Sequence, residues 1–251
     1  HTAYRRQRQM CIRDSRNTTN FLNNKFILDT SANYIIQNDK NMVSQGQYFN
    51  PLTSLYLFPR GEDFSDVTVY ERYDDLSGVN TQYWPYGDLG GVSSQNPYWI
   101  MNRMNRENDR RRYKLAASLQ YNIIDGLNVQ GRVSIDNTES KYTEKFHAGT
   151  VGNFAGSKGR YKEENRLDRQ VYADVLANFN KTFNEFNVTA NLGASIKDLR
   201  MELTSLHGDL NNVTNHFTIE NLTRSGYYKV NADGLKRQTQ SVFANAEIGW
   251  R

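Results

Sequence analysis

Apolar and polar residues alternate through "LAASLQYNIIDGLNVQGRVSID", residues 115–136, on both sides of an Asp-Gly pair. Leu115, Ala117, Leu119, Tyr121 and Ile123 fall on one face, and Leu127, Val129, Gly131, Val133 and Ile135 continue it after Asp125-Gly126. A period of two predicts strands, and Asp-Gly between two such runs predicts a hairpin, because the primed turn it favours matches strand twist. The pattern recurs in "VYADVLANFNKTF" (171–183) and "FNVTANLGASIKD" (186–198), joined by a short turn at Asn184-Glu185. "FILDTSANYII" upstream and "SVFANAEIGW" at the end alternate in the same way, which makes six predicted strands. No segment offers a comparable period of 3.6.

The connections alternate as well. In order they are about 70 residues (roughly 38 to 109), a two-residue turn, about 20 residues, a tight turn and about 35 residues. In an up-and-down meander alternate turns lie at the same end, so the long loops gather on one side and the tight turns on the other. That sorting matches a bacterial outer-membrane barrel, whose strands need about 9–11 residues with an apolar outer face and a polar inner one. The opposite face carries Lys114, Gln120, Asn122, Gln130, Arg132 and Asp136, which is too polar for a packed core and predicts a wet lumen. Tyr121, Phe183, Phe186 and Trp250 fall near the tight turns, where an aromatic girdle belongs. The expected fold is all-β: an antiparallel up-and-down meander forming part, about six strands, of a large transmembrane β-barrel with long extracellular loops. A half-buried soluble sheet is the plainer alternative on periodicity alone.

Composition changes this picture little. The 251 residues have a mean hydropathy of −0.78 and no run of 18 apolar residues, so no transmembrane helix is expected. The formal charge of +4 is concentrated in "HTAYRRQRQMCIRDS", residues 1–15. Arg5, Arg6, Arg8 and Arg13 against Asp14 account for three of those charges, and Cys11 is the only cysteine. This stretch lacks period and resembles translated sequencing-adapter read-through, so we expect a division between an extraneous segment 1–15 and a partial barrel domain 16–251. A basic N-terminal arm is the alternative.

Seven stretches stand out together: "GQYFNPLTSLYLFPRGEDF" (46–64), "TQYWPYGD" (81–88), "QNPYW" (95–99), "ASLQYNIIDGLNVQGRVSIDN" (117–137), "QVYADVLANFNKTFNEF" (170–186), "NLGASIKD" (191–198) and "QSVFANAEIGW" (240–250). In this order they resemble one family, the SusC/RagA-type TonB-dependent outer-membrane transporters of Bacteroidetes. The resemblance implies a plugged barrel of the 22-strand kind in the outer membrane. It also implies a TonB complex as energy source, a SusD-like lipoprotein as lid, and glycans or peptides as cargo. No stretch here reads as a plug or a TonB box. The resemblance therefore implies an internal segment that neither closes a barrel nor imports alone and that leaves two open edges.

The aromatic loop residues Tyr83, Trp84, Tyr86, Tyr98 and Trp99 are candidates for contact with substrate or lid, since rings stack on sugars and fill interfaces. Equally, a 70-residue ordered loop needs a core of its own. "NRMNRENDRRRYK" (102–114) could be a nucleic-acid patch, but its place at a strand end favours anionic outer-leaflet lipid, and no nucleic-acid partner is expected. "HAGTVGNFAGSKGRY" (147–161) lacks phosphate-loop spacing, and the four histidines lack metal-ligand spacing. No nucleophile with a base partner can be assembled, so no catalytic residue, metal or cofactor is expected. An adhesin, a barrel enzyme or a soluble glycan-binding β domain are the other readings; the last would need polar outward faces.

Overall fold

The computed structural model describes residues 7–42, 48–86, 94–222 and 229–250. Seven long strands form one antiparallel meander: β1 (Gln7–Phe21), β2 (Phe26–Lys40), β5 (Met104–Ile124), β6 (Leu127–Phe146), β7 (Arg160–Phe183), β8 (Phe186–Asp209) and β9 (Lys229–Trp250), hydrogen-bonded in that order. A separate hairpin, β3 (Glu71–Asp74) and β4 (Val79–Gln82), lies in the first long connection with helices α1 (Pro51–Tyr56) and α2 (Pro97–Arg103). The sheet is open, with β1 and β9 at its edges. No helix among the described residues is long and apolar enough to cross a membrane.

Tight turns at 22–25, 125–126 and 184–185 share one end, and the long connections share the other. Gly126 has a φ of +81°, and a Cβ there would stand 2.5 Å from the Asn180 carbonyl oxygen, so both backbone conformation and space demand glycine. The strand that periodicity misses is β1. It pairs with β2 along its whole length and crosses the boundary expected at residue 15; residues 1–6 lie outside the described residues. The first long connection is also shorter than expected, 41–103 rather than 38–109. Apolar alternation fades above Tyr113, yet the ladder continues as polar pairs such as Arg112 opposite Thr138 and Arg110 opposite Ser140.

Exposure in the wall is inverted relative to a soluble sheet. Val242 is 80% and Leu192 59% exposed on the apolar face, whereas Asp174 on the polar face is 4% exposed. A sheet curled around its polar side crowds those groups and splays the apolar ones.

The apolar band also runs obliquely across the hydrogen-bonded rows. The row Ala32–Leu115–Ile135–Val171 continues into Asp198 and Gln238, so the band has already dropped toward the tight turns on β8 and β9. Its loop-side edge runs through Ile36, Tyr113, Ile135, Val171, Ile196 and Val242, a drift of about 1.6 residues per strand relative to the rows. Its other edge, Phe26, Ile123, Leu127, Phe183, Phe186 and Trp250, drifts the same way. With about 3.3 Å per residue and about 4.8 Å between strands, the strands tilt roughly 45–50° from the normal of the band's plane. Eleven residues from Tyr113 to Ile123 then rise about 25 Å, the height of a barrel's lipid-facing zone. Lys181, near the lower edge, is the one charged residue on this face inside the band of β7.

Candidate functional site

All six polar-face candidates project from the same side of the sheet, because cross-strand partners share a face. Lys114 stands opposite Asp136, and Gln120 opposite Gln130, with Asn122 and Arg132 at positions of the same parity. Charges on this face are joined across strands. Arg112 Nε donates to Asp136 Oδ1 at 2.8 Å, and Arg132 Nε donates to Asp174 Oδ1 at 2.9 Å. A concavity of about 530 Å³ is lined by Lys114, Ser118, Arg132, Ser134 and Tyr172. Charged donors and acceptors beside hydroxyls suit a polar solute better than an apolar one.

Register reveals a feature that individual strands conceal. Asn122, Asn128, Asn178, Asn191 and Asn245 are successive cross-strand partners and form one row over five strands. Asn178 Nδ2 donates to Asn128 Oδ1 at 2.9 Å, and Asn191 Nδ2 donates to Asn245 Oδ1 at 2.7 Å. Gln120 Nε2 donates to Asn122 Oδ1 at 2.9 Å. Each amide has two donors and two acceptor sites, so these bonds leave capacity for a guest. The sequence signal was an asparagine a few residues from each tight turn, legible only once register is known.

Above the wall, three connections fold together. Trp99, Ile100, Met104, Phe146 and Ala155 form a buried core, with Phe49, Tyr70 and Phe154 packed against it. Trp99 Nε1 donates to Thr150 Oγ1 at 3.0 Å, tying the first connection to the second. The Ala148 N–H donates to Asn215 Oδ1 at 2.7 Å, tying the second to the third. Buried amides act as internal braces. Asn96 caps α2 by accepting from the Tyr98 N–H at 2.8 Å, while its Nδ2 donates to the Val67 carbonyl at 2.9 Å.

The five aromatic candidates separate here. Trp99 is fully buried, and its indole fills the cap core. Tyr98 is half-buried and stacks on Tyr70 with centroids 6.4 Å apart. Tyr83 lies under the Arg72 guanidinium, 3.3 Å from the ring centroid. Trp84 and Tyr86 meet edge to face at 5.1 Å, and Tyr86 meets Phe58 at 4.9 Å. Tyr83, Trp84, Tyr86 and Tyr98 keep partly exposed surfaces, although the structure does not bring them onto the polar face of the wall. Arg103, Arg106, Arg110 and Arg112 are drawn into local contacts, including a two-bond Arg103–Glu71 pair at 2.7 and 2.9 Å. Burial holds the His147 imidazole below its ordinary pKa, and its Nδ1 lies 2.9 Å from the Arg103 carbonyl.

No known protein family and no curated protein matches the sequence. Solved structures do. The chain is similar to one described as the RagAB peptide transporter, with a TM-score of 0.70 and 10% identity over 98% of this chain and 27% of that one. The RagAB peptide importer in its "closed-closed" state gives 0.62 at 13% identity, covering 96% of this chain and 26% of that one. Its "open-open" state gives 0.63 at 12% identity, with the same coverage of 96% and 26%. The chain spans about a quarter of the length of these structures and shares with that quarter an antiparallel β fold.

Proposed function

We propose that this chain is a wall segment of an outer-membrane import barrel of the SusC/RagA kind. The observation that carries this reading is the oblique apolar band: about 25 Å high, bounded by tight turns on one side and a folded cap on the other. A sheet packed on a soluble core has no reason to keep its apolar edge in one plane while the strands slant through it. The polar face then lines the lumen and passes cargo without chemistry. Its ion pairs and amide row suit peptides or oligosaccharides, which are rich in hydrogen-bonding groups. In the whole protein a SusD-like lipoprotein covers the cap and the TonB complex supplies energy.

The test is photo-cross-linking in the whole transporter, with the reactive group at Arg132 or at Leu192. A mixture of peptides and one of oligosaccharides are supplied in turn. Cargo attached at 132, and lipid alone at 192, is the expected result, and the class captured at 132 names the substrate. Lipid at both positions, or cargo at neither, removes the import reading.

A further inference from the structure

The outward face of β7–β9 carries an arrangement that the import reading does not use. Arg169 stands directly opposite Arg200, and Arg200 directly opposite Lys236, so three cations occupy one cross-strand row. Like charges facing each other across strands are unfavourable, with Cα atoms about 5 Å apart. Asp198 answers only one of them, accepting from Arg200 Nε at 3.2 Å. Arg169 and Lys236 have no hydrogen-bond or ion-pair partner among the described residues, and all three cations are exposed. Glu139 and Glu202 stand one row nearer the loops. Below the row on the same face stand Val171, Asp198 and Gln238, and beyond them a groove of about 420 Å³ is lined on the apolar side by Ala173, Val175, Ala194, Ile196 and Val242. Arg169 is four residues above Ala173 on β7, and Arg200 four above Ile196 on β8, so the cations stand about 13 Å above the head of the groove, a span a lipid headgroup and backbone can bridge past Asp198.

We propose that this face binds a phosphate-bearing lipid of the loop-side leaflet. One acyl chain lies along the alanine-floored groove, and the phosphate bridges Arg169 and Arg200. Arginine forks match phosphate oxygens, and long cationic side chains at the edge of a lipid-facing band reach toward headgroups. The inference rests on the membrane reading above, so the experiment separates the two.

The whole transporter is placed in nanodiscs of phosphatidylcholine, with or without lipid A. Spin labels at Val242 and Ser241 report on lipid and water access, and lipid A retained after washing is quantified. Oxygen access at 242 and a polar-reagent access at 241 establish that the face meets lipid. On that background, R169Q/R200Q should weaken lipid A retention about thirtyfold, at about fivefold per cation. A194F fills the groove with the charges intact and should also weaken it, whereas R169K/R200K should retain most of it. Excess inorganic phosphate should not displace the lipid, because the groove contributes. Lipid access at 242 together with unchanged retention in both R169Q/R200Q and A194F overturns the lipid site and leaves the membrane reading standing. Absence of lipid access at 242 overturns both. Displacement by inorganic phosphate reduces the site to a plain anion contact and also overturns it.

Discussion

In the cap the largest apolar side chains are the best hidden, with Trp99 and Met104 fully buried and Ile100 and Phe146 nearly so. In the wall the order reverses, and Leu192, Ile248 and Val242 stand out while Asp174 is enclosed. One chain therefore carries two solvent codes. The cap is built for water: it hides rings, caps helices with Asn50 and Asn96, and braces loops with amides such as Asn221. The wall takes its stability from strand neighbours and from whatever covers its apolar face. Boundaries between such regions cannot be found by average hydropathy, because each face of the wall cancels the other.

Substitutions can break this comparison. The largest expected effect is Trp99→Ala, which empties the cap core and strands the Thr150 hydroxyl; it should cost about 3–5 kcal/mol of cap stability. Hydrogen exchange should show protection lost over 94–103 and 147–159 while β7 and β8 keep theirs. Collapse of the whole sheet would show that the two regions are one unit. Next, Leu192→Arg should cost about 2–4 kcal/mol in a bilayer. In a denaturant titration from lipid its cost should far exceed that of Asn191→Arg on the neighbouring polar position, and equal costs would remove the distinction between faces.

A smaller effect is expected at Gly193, on the polar face, where a new Cβ would stand 2.5 Å from Phe243 Cζ and 3.0 Å from Leu176 Cδ1. Gly193→Ala should destabilise by about 1–3 kcal/mol through overpacking, and Phe243→Leu should recover part of that in a double-mutant cycle. Additive costs would mean that the ring moves aside freely.

The smallest is a pH effect confined to the cap. Burial lowers the pKa of His147, so the unfolded cap binds more protons than the folded one between the folded pKa and the ordinary value of 6.5. Stability contributed by the neutral imidazole is full above that value and declines as pH falls below it. His147→Gln should flatten this slope in cap protection measured between pH 7 and pH 5; an unchanged slope assigns it to other groups.

The two hairpins β5–β6 and β7–β8 were legible because alternation, turn residues and strand length all agreed. β1 was not, and its register explains why. The positions facing the apolar side are Cys11, Arg13, Ser15, Asn17 and Thr19, opposite Ile36, Tyr34, Ala32, Thr30 and Leu28. That strand has no apolar stripe, and polar-face contacts such as Arg8–Asp39 and Arg16–Asp29 tie it to β2 instead. In the cap the sequence offered Trp99 two roles, core or contact, and only packing separates them. The asparagine row was invisible for a different reason: its members are up to 123 positions apart and meet through pairing alone.

The oblique band has a consequence for how the strands choose partners. A one-residue slip between neighbours would turn every side chain to the wrong face and is strongly disfavoured. A two-residue slip leaves inside and outside intact, and strand patterning alone scarcely opposes it. It would, however, carry a polar rung about 7 Å along the strand into hydrocarbon, for instance Asp198 or Arg169. On the import-barrel reading proposed above, bilayer thickness acts as the ruler that selects among registers the alternating code leaves equivalent.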